Sequence, residues 1–335
     1  MRWILHGAIA LGAAMLYALA LAGWGGAISP TLDALNHFAP LLLAASGAGL
    51  MAAAFALPKG RMRIGALCLY GFAALTQAAL IAPEISGQRS AMAEEAQAGL
   101  RGRGPSVRVV WLNTWSSRGD FAETLAYLER ADADFLLVSE LHVEPGRPIG
   151  RLNEIYPHFV RCTGRHDCNT AIFSKLAPVR VDDFALTEAD RLRLTGAAYD
   201  VAGVPLRLYA AHLSRPLPAD LQQASFARVA AAARAGGVDG AIVAGDFNST
   251  PWSFALKRFD RESGLIRHTC ATPTWPAQAF TRLRLPAIAP FMPIDHVYGG
   301  RSWRLSSIRR GPRTGSDHFP IEAEFAWVGA PAGGE

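Results

Sequence analysis

Apolar residues crowd the first quarter of the chain in three long runs and then give way to shorter, regularly interrupted ones. Ile4 to Ile28 is broken only by His6, while Phe38 to Leu57 and Ile64 to Ala82 carry no charge at all. Each run is long enough to cross the ~30 Å hydrocarbon core of a bilayer as a helix. Three transmembrane helices are therefore expected, at about 4–28, 38–57 and 64–82. Small residues inside the second run (Ala44, Ala45, Gly47, Ala48, Gly49) suit close helix packing. The connection Lys59-Gly60-Arg61-Met62-Arg63 is basic, whereas Ser29 to His37 holds Asp33 and neither Lys nor Arg. Basic connections stay in the cytoplasm. The expectation is an integral, multi-pass protein of the plasma (inner) membrane, with everything after Ala82 on the extracytoplasmic side. Ala18-Leu19-Ala20 also resembles a processing site, and removal of the first run as a signal peptide would leave the later helices in the same orientation.

Residues 83–105 change character, with Glu84, Arg89, Glu94 and Glu95 before Arg101-Gly102-Arg103-Gly104-Pro105. This reads as a juxtamembrane linker with a short helix around Ala91 to Leu100 and a Gly/Pro hinge. It divides a membrane region, 1–82, from a folded domain, 106–328, and a short tail, 329–335.

Within the domain the period shortens to that of strands. Val107 to Leu112, Phe135 to Ser139, Thr170 to Ser174, Val179 to Leu186, Leu192 to Val201, Leu206 to Leu213, Ala241 to Ala244, Ile294 to Tyr298, Ser302 to Arg309 and Pro320 to Trp327 all read as strands. Ala202-Gly203 marks a hairpin. Asp120 with Glu123 has the spacing of a capping box and opens one helix, and Ala219 to Ala235 forms a second. Hairpins mixed with few helices predict an α+β or α/β sandwich rather than a doubly wound sheet.

Composition makes sense only after this division. The whole chain is 50% hydrophobic and 18% charged, with a net charge of +5. The first hundred residues hold only five Lys/Arg and four Asp/Glu; the remainder has 28 against 24. A surplus so small permits an anionic partner without requiring one.

Polar residues recur where buried strands stop: Asn113, Glu140, His212, Asp246 with Asn248, Asp295, and Asp317 with His318. A single acidic residue after a strand is ordinarily a turn former. Strands of a common sheet, however, deliver their ends to a common edge, which here would gather four carboxylates, two amides and two imidazoles. Carboxylates so close repel one another unless a cation sits among them, and oxygen donors point to Mg²⁺ or Mn²⁺.

Ala244-Gly245-Asp246-Phe247-Asn248-Ser249-Thr250-Pro251 and Ser316-Asp317-His318-Phe319-Pro320-Ile321 resemble two signatures of the endonuclease/exonuclease/phosphatase superfamily. Leu112-Asn113, Val138-Ser139-Glu140, Ala211-His212-Leu213 and Ile294-Asp295-His296-Val297 fit in the same order, so the resemblance spans about 106–328 and looks most like membrane-tethered bacterial members. It implies a four-layer αββα sandwich of the deoxyribonuclease I-like type, preceded by the three membrane helices, and a phosphoesterase that uses Mg²⁺ or Mn²⁺ and activated water. By position it makes Glu140 the principal metal ligand, with Asn113 and Asp317 beside the same ion. Asp246 and Asn248 would orient or deprotonate the attacking water and hold the phosphoryl group. His318 would pair with Asp295, and His212 would bind a phosphate oxygen or assist the leaving group. Either Asp246 or His318 can serve as base on this reading. The partners implied are the bilayer and a phosphate ester: nucleic acid, lipid headgroup or small molecule. The contrasting reading, a catalytically silent domain that binds a phosphorylated ligand or a protein, is disfavoured because no ligand position has been lost.

Cys162 and Cys168 bracket a polar loop, Thr163 to Asp167, between two strands, and outside the cytoplasm this predicts a hairpin disulfide. Cys68 lies in the third apolar run and Cys270 is left outside the pair. Trp252 and Trp275 are candidates for a substrate groove. Asn169 is a candidate phosphate contact, although a turn explains it as well. Arg282, Arg284, Arg301, Arg304, Arg309, Arg310 and Arg313 make the last third basic, as a solvated face by default or else as a surface for nucleic acid or anionic headgroups.

Overall fold

Helices α1 (Arg2–Trp24), α3 (Ala39–Ala56) and α4 (Arg61–Leu100), with a short α2 (Pro30–Asp33) between the first two, precede every strand in the computed structural model. The structure describes residues 1–100 (backbone only over 86–100), 104–142, 149, 151–162, 168–182, 184, 192–278 and 289–329. Three segments, Arg2–Ala27, Pro30–Ala56 and Arg61–Ile85, are helical, long and apolar enough to cross a membrane. Large apolar side chains such as Ile4, Leu11, Phe55 and Leu75 point outward from them. Tyr70 of α4 lies against Gly49 of α3, where a Cβ would overlap its ring, and its hydroxyl donates to the Ile9 carbonyl of α1 at 2.9 Å. Glycine is needed there for the approach.

The juxtamembrane stretch differs from the sequence expectation. No separate short helix forms; α4 continues unbroken from Arg61 through Pro83 to Leu100. Proline at 83 deprives the Ala79 carbonyl of its partner. The helix nevertheless persists, because the surrounding turn is held against the folded domain. Lys257 donates to the Leu80 carbonyl at 3.4 Å, and buried Glu84 accepts from Arg267 at 3.1 Å. The expected hinge at 101–103 lies outside the described residues. Beyond it, Gly104 is packed on Trp327, and the Pro105 carbonyl accepts from the Trp327 backbone.

The domain then builds two six-stranded mixed sheets. The first runs in the order β11 (Trp303–Arg310), β12 (Ile321–Trp327), β1 (Ser106–Asn113), β2 (Phe135–Ser139), β4 (Ala171–Ser174), β3 (His158–Arg161). The second runs β5 (Arg180–Asp182), β6 (Arg193–Val201), β7 (Val204–His212), β8 (Ala241–Asp246), β10 (Asp295–Gly299), β9 (Ile266–Arg267). Among the described residues, only β1 with β2 and β7 with β8 pair in parallel. The sheets face each other across Val109, Trp111, Phe135, Leu137, Leu208, Ala244, Val297 and Phe325. Helices α5 (Phe121–Arg130) and α6 (Leu152–Ile155) cover the outer face of the first sheet. Helices α7 (Ala219–Gly236) and α8 (Phe254–Glu262) cover that of the second, which completes the αββα sandwich. Of the strand expected at Val179 to Leu186, Arg180–Asp182 forms, and residues 183, 185 and 186 lie outside the described residues. Cys162 and Cys168 are disulfide-bonded, as their spacing predicted, and the intervening 163–167 are not described.

Helix α8 starts in an unusual way. Ser253 caps it, its hydroxyl accepting from the Leu256 amide at 3.1 Å. The two preceding amides, Phe254 and Ala255, donate to the two carboxylate oxygens of Asp33 at 2.9 and 2.8 Å. Orphan N–H groups and the positive end of the helix dipole both favour a carboxylate there. Next to it, His37 Nδ1 accepts from the Thr250 amide at 3.2 Å. Trp252 is buried with Ala39, Leu80 and Ile81, so it packs at this junction and not in a groove.

Glu322 on β12 gathers Arg108, Arg309 and Tyr127 through hydrogen bonds of 2.9, 2.6 and 3.1 Å, with its side chain only 7% exposed. Burial opposes the carboxylate, but hydrogen bonds from Arg309 and Tyr127 hold its pKa below the usual 4.5. A depressed carboxyl pKa adds stability above the unfolded value that is lost as pH falls through the folded one. Glu322→Gln is expected to cost about 1–3 kcal/mol at pH 7. The difference from wild type should vanish on acidification below the carboxylate range, as read by thermal unfolding at both pH values.

Candidate active site

Sheet register assembles half of the cluster. His212 ends β7 directly opposite Asp246 of β8, and Asp246 is the register partner of Asp295 at the start of β10. Three neighbouring strands thus set an imidazole and two carboxylates side by side, at the ~4.8 Å spacing of hydrogen-bonded strands. The other sheet supplies the facing half. Asn113 ends β1 opposite Ser139, and Glu140 is the next residue of that strand's neighbour. Asp317 and His318 arrive on the connection from β11 to β12. There the Ser316 hydroxyl donates to the Asn113 carbonyl at 2.6 Å and accepts from the His318 amide at 3.0 Å.

Glu140 and Asn248 both adopt left-handed backbone conformations, with φ of +52° and +48°. Such values are unfavourable for residues with a Cβ and are retained where the surroundings enforce them. Here each follows a strand end, Glu140 bringing its side chain and Asn248 its backbone amide to the cluster.

All eight residues singled out in the sequence come together. The Asn113 amide nitrogen donates to Glu140 Oε1 at 3.2 Å and to Asp246 Oδ2 at 3.1 Å, while its oxygen accepts from the Trp115 amide. His212 Nε2 stands 3.8 Å from Glu140 and 3.9 Å from Asp246. His318 Nδ1 is 2.7 Å from Asp295, and its Nε2 lies 3.8 Å from Asp246 and 3.9 Å from Asp317. Asn248 is held more peripherally: its side chain donates to the Leu213 carbonyl, and its amide donates to Asp246 Oδ1.

Burial alone would discharge His318, but the Asp295 carboxylate outweighs it and pushes the pKa up to about 10. Burial likewise opposes the charge on Asp295, and His318 holds that carboxyl below its ordinary range. The result is a buried imidazolium–carboxylate pair. Asp246, buried beside other carboxylates, is pushed up to about 7 against the pull of His318. Burial lowers His212 to about 4 against the pull of Glu140, so it is neutral near pH 7.

Two tryptophans complete the arrangement. The Trp111 indole donates to Asp295 at 2.8 Å across the two sheets, and the Trp275 indole donates to Asp317 at 3.1 Å. Trp275 was among the groove candidates; Trp111 was not singled out. Its signal was the period of two, since position 111 shares a face with 113 on β1. Asn169 is buried, its carbonyl accepts from the amide of Leu141, the residue after Glu140, and its side chain is not among the hydrogen-bond partners of the cluster among the described residues. His296 packs, bonded to Thr269 and to the Ser249 carbonyl. Arg309 is engaged by Glu322, Arg310 and Arg313 lie over the Phe319 ring, and Arg282, Arg284 and His166 fall outside the described residues.

The family model of the endonuclease/exonuclease/phosphatase family matches residues 110–318, well over half of the chain and all eight cluster positions. The chain belongs to that family. Solved structures share the fold at low identity. An endonuclease/exonuclease/phosphatase from Beutenbergia cavernae aligns at 19% identity and a TM-score of 0.51, over 68% of this chain and 73% of its own. Truncated TDP2 of Caenorhabditis elegans gives 20% and 0.51 over 66% and 98%. Sphingomyelinase C of Streptomyces griseocarneus gives 15% and 0.50 over 66% and 99%. No curated protein matches the chain. Members of the family are hydrolases of phosphoester bonds that generally use a divalent metal.

The donor set suits a hard divalent cation. Glu140, Asp246 and Asp317 offer carboxylate oxygens toward one space, and Asp317 Oδ1 is buried with no hydrogen-bond partner. Asp246, Asp295 and His318 also bring ligand atoms within 4.8 Å of one another. Asp295, however, is committed through one oxygen to Trp111 and through the other to His318. Asp246 likewise accepts through both oxygens, from Asn113 and the Asn248 amide, so among the described residues Glu140 and Asp317 keep the freest oxygens for a metal.

Proposed function

We propose that this protein is a membrane-anchored, Mg²⁺- or Mn²⁺-dependent phosphoesterase that hydrolyses its ester by attack of water. The observation that carries the reading is the meeting, at one edge of two sheets, of three carboxylates with an oriented imidazolium and a neutral imidazole. A phosphodiester anion repels an incoming nucleophile, so a site for it must supply positive charge and a proton acceptor together. Glu140 and Asp317 would hold the metal, with Asn113 bridging Glu140 to Asp246. When bound, it would neutralise charge on the phosphoryl oxygens and lower the pKa of water.

The side chains account for the rest. Asp295 at 2.7 Å stabilises the charged form of His318 and fixes its orientation. A charged imidazole is a donor and not a base, so His318 holds a phosphoryl oxygen through Nε2. The proton of the attacking water goes to Asp246, which the sequence had left as one of two options. Asn248, anchored to Leu213, steadies the loop beside it. His212, neutral and within 4 Å of Glu140 and Asp246, faces the leaving group.

The purified full-length protein in detergent is expected to hydrolyse bis-p-nitrophenyl phosphate with Mg²⁺. Asp246→Asn should lose ~10²–10⁴-fold in turnover, and chelation should abolish the reaction. Equal rates for wild type and variant would refute the reading.

The catalytic domain is placed outside the cytoplasm, on the basic 59–63 connection and the Cys162–Cys168 disulfide. Alkaline phosphatase fused after Gly104 should accordingly be active in cells; an inactive fusion reverses the orientation.

A further inference from the structure

A domain tied to a membrane only by a hinge would sample every orientation, but this one is clamped. Asp33 takes the first two amides of α8, His37 takes the Thr250 amide, and Arg267 reaches Glu84 of α4 while also pairing with Asp260. On the domain side, most of these contacts fall on the segment that leaves β8 just beyond Asp246 and Asn248. The bundle therefore holds the catalytic domain by a site loop, while α4 also runs alongside β11.

That contact also fixes the height of the site. Asp33 and His37 belong to the end of the bundle where the second apolar helix begins, at the level of the lipid headgroups. Thr250 lies four residues past Asp246, a span of at most ~14 Å even when fully extended. The headgroup layer on each side of a bilayer is itself ~5–8 Å deep. The reacting edge thus lies close to the end of the bundle that would meet the adjacent leaflet.

The rim on this side has the matching chemistry. Past His212 the chain presents exposed Arg215 and then Leu217, which is 54% exposed, before entering α7. Helix α7 packs against α2, whose Leu32 is also exposed, and Ile28 just before α2 is 92% exposed. Apolar side chains continue from the bundle to the mouth of the site, with one cation among them. This suits an ester whose phosphate is anionic and whose alcohol is anchored in lipid.

We propose that the substrate is the phosphodiester of a membrane lipid in the leaflet beside the catalytic domain, a proposal that rests on the phosphoesterase reading above. A bond forms between the water oxygen and phosphorus, and the bond from phosphorus to the leaving ester oxygen breaks. One water proton passes to Asp246 and from there to the leaving oxygen, giving an alcohol and a phosphomonoester.

The test uses full-length protein reconstituted with Mg²⁺ into vesicles of phosphatidylethanolamine, phosphatidylglycerol, cardiolipin and sphingomyelin. Lipid conversion is followed by mass spectrometry, alongside bis-p-nitrophenyl phosphate and plasmid DNA. Lipid of the host bilayer should be converted at least tenfold faster than lipid in added protein-free vesicles. Asp33→Ala/His37→Ala should lower the ratio of lipid to soluble-ester hydrolysis at least tenfold; a folding defect alone would reduce both rates together and leave that ratio unchanged. Hydrolysis of the soluble ester with every lipid intact overturns this inference and spares the phosphoesterase reading, as does preferential cleavage of DNA. Failure on all substrates overturns both.

Discussion

Asp295→Asn is expected to lower turnover by ~10²–10⁴-fold while leaving the fold in place. The wild-type carboxylate is fully buried and accepts two hydrogen bonds, from His318 on one oxygen and Trp111 on the other. An amide has one acceptor and one donor end, so it can satisfy only one of these partners. If its oxygen stays with Trp111, its NH₂ faces His318 Nδ1 and demands an unprotonated nitrogen there. The imidazole then loses both its partner charge and the proton at Nδ1. Nitrogen-resolved NMR should show the His318 pKa, raised to about 10 in the wild type, falling toward or below that of an ordinary histidine. Substrate affinity should change far less than turnover. A variant that keeps both its imidazolium and its rate would show that the pair is structural only.

Glu140→Gln should separate metal binding from the remaining chemistry. The substitution keeps shape and removes one negative charge from a space shared by Glu140, Asp246 and Asp317. The Mg²⁺ concentration needed for half-maximal rate should rise at least ~10-fold, and turnover at saturating Mg²⁺ should still fall ~10²–10³-fold. Left-handed backbone at this position (φ +52°) already burdens the wild type, and glutamine inherits that burden unchanged. Any difference therefore reports charge. An unaltered Mg²⁺ dependence would move the metal away from Glu140.

The site was legible because a polar residue at the end of a buried strand stands out against its neighbours. Glu140 closes a run of five buried residues, and Asp246 closes another of five. Pairing then followed from topology: strands that share a sheet share an edge. What the sequence concealed has no local signature. Asp33 meets residues 221 and 222 positions away, and His37 meets one 213 away. Before folding, Asp33 is an isolated acid in a short connection, indistinguishable from a turn former. Pro83 was misleading for the opposite reason. Proline ordinarily ends a helix, and contacts with residues far along the chain, Lys257 and Arg267 among them, accompany the passage of α4 past it. Trp111 lay between these cases, since its face was predictable but its partner across the sandwich was not.

The lateral alignment of His212, Asp246 and Asp295 has a consequence for how such a protein tolerates change in length. Side chains alternate faces along a strand, so a shift of one residue exchanges the whole set. One residue inserted at the start of β10 would carry Asp295 out of register with Asp246 and present a neighbour of opposite facing. One deleted from β8 would break the match with His212 as well. Insertions and deletions are thereby barred from the strands that meet at the site. Variation in chain length, and with it new specificity, is confined to the connections between them.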